Sequence, residues 1–197
     1  MVSKKVRAPL PAKSKQLSKT DWLEFALKQL VNKGPDSLKI MPLCEALKVT
    51  KGSFYHHFEN RQDFNDALMS HWYERMTMEF IKQADAAGAP LERLKKLDQV
   101  IAAHNIEAEM HIRAWALKDV QIAEHLVKID NQRQQYLKQC YLDLGAEDRL
   151  AGELAQIAYG LFLGLQQIHP KPGIETALHL AAMVSGKFVS TIGSQEG

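Results

Sequence analysis

A chain of 197 residues, 46% hydrophobic and 24% charged, can bury a real core as one large domain or two small ones. Its net charge of +2 conceals an asymmetry: residues 1–61 hold 12 Lys/Arg against 5 Asp/Glu, residues 62–197 hold 13 against 18. A basic head (+7) on an acidic body (−5) points the head at a polyanion. Cys44 and Cys140 lie far apart and outside any metal-ligand spacing, so they read as reduced, buried hydrophobes.

The longest apolar stretch, Ile157 to Leu165, is 9 residues with two glycines, too short to cross a bilayer. The start, Met1-Val-Ser-Lys-Lys-Val-Arg7, lacks the apolar run of a secretory leader, and a cytoplasmic protein without membrane contact is expected.

Residues 1–17, with five Lys/Arg and Pro9 and Pro11, read as a disordered basic arm. A first helix starts at Ser18 or Thr20 and places Leu23, Ala26, Leu27, Leu30 and Val31 on one face before Gly34-Pro35 stops it. Two short helices follow. Pro42 suits the first turn of one, with Leu43 and Leu47 at i, i+4; Thr50 caps the next, with Phe54 and Phe58 at i, i+4. The pattern then stays helical: about 61–87, 91–105, 107–118, 120–144, 147–167 and 174–192, with no strand alternation. The expected fold is all-α, about nine helices.

Two short helices joined by a tight turn, behind a third, form a helix-turn-helix unit spanning about 39–58. On its second helix Phe54 and Phe58 face inward, Gly52 and His56 face outward, and Lys51 adds a cation to the first turn. Gly52 costs a helix about 1 kcal/mol against Ala, and a close approach by another backbone would explain it.

The run Leu43-Cys44-Glu-Ala46-Leu47-Lys48-Val49-Thr50-Lys51-Gly52-Ser53-Phe54-Tyr55-His56-His57-Phe58-Glu-Asn-Arg61 resembles the signature of the TetR family of regulators. The Tyr-x-His-Phe element and the cation at Arg61 carry the likeness, which extends over 17–77. It implies a DNA-binding head in which Tyr55, His57 and Arg61 hold phosphates and Lys51, Gly52, Ser53 and His56 face base edges. Lys39 and Thr50 complete the DNA-facing set. Three departures stand out: Leu43-Cys44 replaces a small pair in a buried face, Lys48 occupies a turn position where Gly is usual, and Arg61 stands where the family has Lys, keeping the charge and adding a second prong. Lys48 would be strained by about 1 kcal/mol if that position needs a positive φ.

The resemblance also implies that residues 78–197 form a ligand-binding and dimerising body. Ile112–Asp119 and Val127–Leu137 are similar to segments of such bodies, and Trp115 and Tyr136 are candidate ligand-lining residues. In 147–167 an apolar stripe runs nearly all round the helix, with Gly160 and Gly164 allowing close approach. With 174–192 it would close a four-helix bundle across a two-fold axis, through Leu154, Leu161, Gly164, Leu165, Ala181 and Phe188.

The expected function is a transcriptional repressor that binds a pseudo-palindromic duplex operator as a homodimer and is released by a small-molecule effector. No cofactor is expected. His104 and His111 lack a third ligand for a metal site. No phosphate loop, nucleophile elbow or metal signature supports an enzyme, and a helical interaction protein without DNA activity is the other alternative.

Overall fold

A computed structural model describes residues 17–168, 173–176, 178–180, 182–183 and 186. The basic arm, Ala181 and Phe188 lie outside these residues, apart from Leu17 of the arm. The described chain is all-α. The head comprises α1 (Lys19–Lys33), a 3₁₀ turn (Pro35–Leu38), α2 (Ile40–Leu47) and α3 (Lys51–His57). A long helix leads out of it: α4 (Arg61–Tyr73), a π-helical turn (Glu74–Met78) and α5 (Glu79–Asp85) in unbroken succession. The body adds α6 (Pro90–Ala102), α7 (Ala108–Ala116), α8 (Val120–Asp143) and α9 (Asp148–Leu165), and the described residues after 173 are helical.

Local chemistry sets the ends of these elements. Ser18 and Asp21 cap α1 reciprocally in a capping box. Asn60 caps α4 by accepting from the Asp63 N–H at 3.0 Å. Thr50 occupies the cap position of α3 in extended conformation, but its hydroxyl makes no capping bond, unlike the sequence expectation. Lys48 has φ 57° and ψ 42°, so the turn between α2 and α3 adopts the left-handed conformation with a lysine in it. Both cysteines are buried and unbridged.

One contiguous core joins head to body. Trp22, Leu30, Leu38, Leu43, Phe54, Phe58, Phe64 and Trp72 pack with Ile112, Trp115, Ile122 and Ile129 of α7 and α8. A second cluster, Tyr141, Ala146, Ala151, Leu154 and Ala155, fastens α9 along α8. The π-turn was not anticipated, since the apolar pattern of 61–87 reads as one regular helix.

Candidate nucleic-acid interface and body cavity

The α3 helix is only seven residues long and owes its position to aromatic packing. Phe54 and Phe58, its two buried rings, lie 5.2 Å apart. Trp22 of α1 meets them edge-on at 5.7 and 6.2 Å, and Phe64 of α4 closes the knot at 5.6 and 5.1 Å. Such ring pairs add about 0.5–1.5 kcal/mol each beyond the area they bury. The opposite face of α3 is thereby turned outward as a rigid surface.

That outward face carries the residues singled out in the sequence. Lys51, Gly52, Tyr55 and His56 are exposed, while Ser53 and His57 are half-buried on its flanks. Lys39, Lys51, Tyr55 and Arg61, from three different elements, line one shallow concavity with Ile40, Met41 and Pro42. Lys39 also pairs with Asp36 at 2.7 Å, an exposed pair that holds the Asp36 carboxyl below its usual range. An exposed pair of this kind is weak and exchangeable. Thr50 is exposed beside the same helix. Among the described residues a Cβ on Gly52 would meet only the Thr50 hydroxyl, at 3.5 Å, so none of them requires glycine there.

The body is built differently. Glu109, 3% exposed, accepts from Arg113 at 2.8 Å and Arg133 at 2.9 Å. Arg113 makes a bidentate bond to Asp130 at 3.0 and 2.7 Å, and the Tyr159 hydroxyl donates to Asp130 at 2.7 Å. Arg133 also donates to Thr77 Oγ1 and to the Met76 carbonyl, both in the π-turn, and stacks over Trp72. Two guanidinium and two carboxylate charges cancel within this network. Burial opposes charging the guanidinium groups, yet the facing carboxylates hold both above their usual range.

A cavity of about 100 Å³ adjoins the network, bounded by α5, α6, α8, α9, the π-turn and Leu178. Its wall is mostly apolar, with Phe80, Tyr136 and Phe162 as its main rings alongside Tyr159. Tyr136, marked from the sequence, is among the lining residues; Trp115 is not. The Trp115 indole is 3% exposed and belongs to the core between head and body. Asp98, Glu109 and Arg133 line or adjoin the cavity and escaped the sequence reading. The signal for Asp98 was a lone acid on the apolar stripe of Leu91, Leu94 and Ile101.

Residues 23–68 match the family described as bacterial regulatory proteins, tetR family. The match lies in the head, which carries the tetR-family segment. A segment of 89 residues is 35% identical to the Transcriptional regulator AcuR of Cereibacter sphaeroides, covering 44% of this chain and 40% of that relative's length. The fold resembles a TetR/AcrR family member of known structure at TM-score 0.67 and 16% identity, over 85% of this chain and 97% of that one. It also resembles the regulatory protein TetR from Rhodobacter sphaeroides at 0.64 and 24%, over 84% and 95%. Among the described residues no helix is long and apolar enough to cross a membrane, and no group of three His, Cys, Asp or Glu is placed to hold a metal ion.

Proposed function

We propose that this chain is a tetR-family regulator that represses transcription by binding a pseudo-palindromic operator as a homodimer, and that a small molecule in the body cavity releases it. The observation that carries the reading is the concavity where Lys39, Lys51, Tyr55 and Arg61 converge beside the exposed face of α3. Three cations and a phenol around a shallow depression suit phosphate oxygens, while Lys51, Gly52, Ser53 and His56 occupy the face that would meet base edges. Tyr55, His57 and Arg61 take the positioning role, with Lys39 and Thr50 beside them. Gly52, uncrowded among the described residues, leaves room for a duplex to approach.

Dimerisation is supported by α9. Ile157 (40% exposed), Gly160, Leu161, Gly164 and Ile168 (51% exposed) follow one another along a half-open apolar stripe, with Leu165 half-buried beside it. A Cβ on Gly160 or Gly164 would touch nothing among the described residues of the protomer. Leu154 takes a different place from the one expected. It is 1% exposed and packs within the protomer against Tyr141 and Ala151, leaving no surface for a partner. Ligand release is supported by the shared core of head and body and by the π-turn, whose Thr77 and Met76 touch Arg133 at the cavity. A ligand lowers operator affinity only by favouring an arrangement that holds DNA less well, typically by about 1–3 kcal/mol.

Selecting bound fragments from genomic DNA with the full chain should return one inverted repeat with half-sites about one helical turn apart or slightly more. Arg61→Ala should weaken operator and non-operator DNA alike, about tenfold, and lower the salt slope by about one. Unchanged affinity at matched salt would remove Arg61 from the interface. In sedimentation the parent chain should be a dimer at micromolar concentration and Leu161→Asp a monomer or an aggregate. A monomeric parent would overturn the dimer reading.

A further inference from the structure

The cavity holds one polar group whose chemistry is unanswered. Among its polar wall residues, Glu109, Arg133 and Tyr159 satisfy one another and Asp130, and the Tyr136 hydroxyl donates to Asp85 at 2.9 Å. Thr77 accepts from Arg133. Asp98 lines the same cavity with neither a hydrogen bond nor an ion pair among the described residues, and burial alone pushes its carboxyl up to about 7. Asp98 is half-buried, and drawing a carboxylate partly out of water without a partner is unfavourable, so an occupant that supplied the missing charge would recover part of that loss.

The neighbouring charges decide the sign of that occupant. Arg113 and Arg133 are matched by Glu109 and Asp130, so the surroundings are neutral and ionised Asp98 leaves the cavity at −1. An anionic ligand would meet that carboxylate and find both guanidinium groups already engaged. A neutral ligand would leave Asp98 as it stands. The rings of Phe80, Tyr136 and Phe162 offer faces that attract a cation and area that shelters an apolar body.

We propose that the cavity takes a small amphiphile with a single protonated amine, the ammonium seated on Asp98 and the apolar body among Phe80, Tyr136 and Phe162. The proposal names the ligand class for the ligand-release reading and rests on it only in calling the occupant an effector.

Calorimetry on the full chain at pH 8 with three probes of similar shape tests it: phenethylamine, phenethyl alcohol and phenylacetate. A charge-assisted hydrogen bond to a buried partner is worth about 10- to 100-fold in affinity. Phenethylamine should therefore bind at least about tenfold more tightly than the alcohol, with phenylacetate weakest. Asp98→Asn should abolish that preference while folding normally by circular dichroism, since it removes an unpaired, half-buried acid. Equal or tighter binding of the alcohol or acid, a preference that survives Asp98→Asn, or no binding of any probe at millimolar concentration would each overturn the proposal. Adding operator DNA separates the two readings. An amine that binds without loosening DNA upholds this ligand class and removes ligand release; an acid that binds and loosens DNA does the reverse.

Discussion

Head and body solve opposite packing problems. The head hides rings and shows charge: Trp22, Phe54, Phe58 and Phe64 fill its centre, and Lys39, Lys51 and Arg61 stand outside. The body encloses charge: Glu109, Arg113, Asp130 and Arg133 bond to one another beside a cavity. An apolar jigsaw has one good arrangement, which suits a surface that must match a rigid duplex. A buried ionic network depends on each partner staying in place, so a molecule that moves one member disturbs the rest. The contrast assigns fixed geometry to the head and sensitivity to the body.

The largest test of that contrast is Phe54→Ala, which removes the centre of the aromatic knot and should cost about 4 kcal/mol in chemical denaturation. A loss under 1 kcal/mol would mean that α3 is held by something other than its rings. Arg133→Leu should cost about 3 kcal/mol, because the buried Glu109 keeps only Arg113 of its two guanidinium partners and Thr77 loses its donor while apolar volume is kept. A neutral or stabilising result would make the body core as apolar in its energetics as the head, and the comparison would fail.

A pH-dependent effect comes from Asp98. Its native carboxyl titrates near 7 against 3.8 for the ordinary group, so the native chain holds a proton that the unfolded chain releases. This group's contribution to stability is complete below about pH 4 and is lost as pH rises through 7. Asp98→Asn should flatten the stability profile between those limits and leave the mutant the more stable protein at pH 8. An unchanged profile would mean that Asp98 is well solvated. The smallest effect belongs to Lys48, strained at φ 57°. Lys48→Gly relieves that strain but loosens the unfolded chain, for a net gain of about 0.5–1 kcal/mol on thermal unfolding.

These regions also differed in how much their sequence disclosed. The head was legible because its signals are local: Ser18 with Asp21, Phe54 with Phe58, and the breaks at Gly34 and around Lys48 are each set within a few residues. The concavity was partly legible, its four polar members having been named without knowing that they share one depression. The body was harder. An apolar stripe running nearly all round α9 does not say which side meets its own protomer, which is why Leu154 was placed outward when it faces Tyr141. Trp115 reads as any large ring would; only the docking of α7 under the head decides that it is core. Nothing in Glu74–Met78 distinguishes an i→i+5 turn from an ordinary one, and Arg133 reaches that turn from a point 56 residues along the chain from Thr77.

The π-turn has a consequence for how the two ends of the long helix are phased. Arg61 stands at one end and Phe80 beyond the other side of the turn, and each residue of an α-helix advances the chain by 100° and 1.5 Å. A π-turn accommodates one residue more than an α-turn does. Closing Glu74–Met78 as regular helix with its residue count unchanged would therefore swing the Arg61 end about the helix axis by roughly 100° relative to the cavity, whereas deleting one residue as it closes would keep the two ends in phase. Rotational phase along this shaft is thus written in residue count, and Arg133, bonded to Thr77 and Met76, is the pin that keeps the count from being re-read.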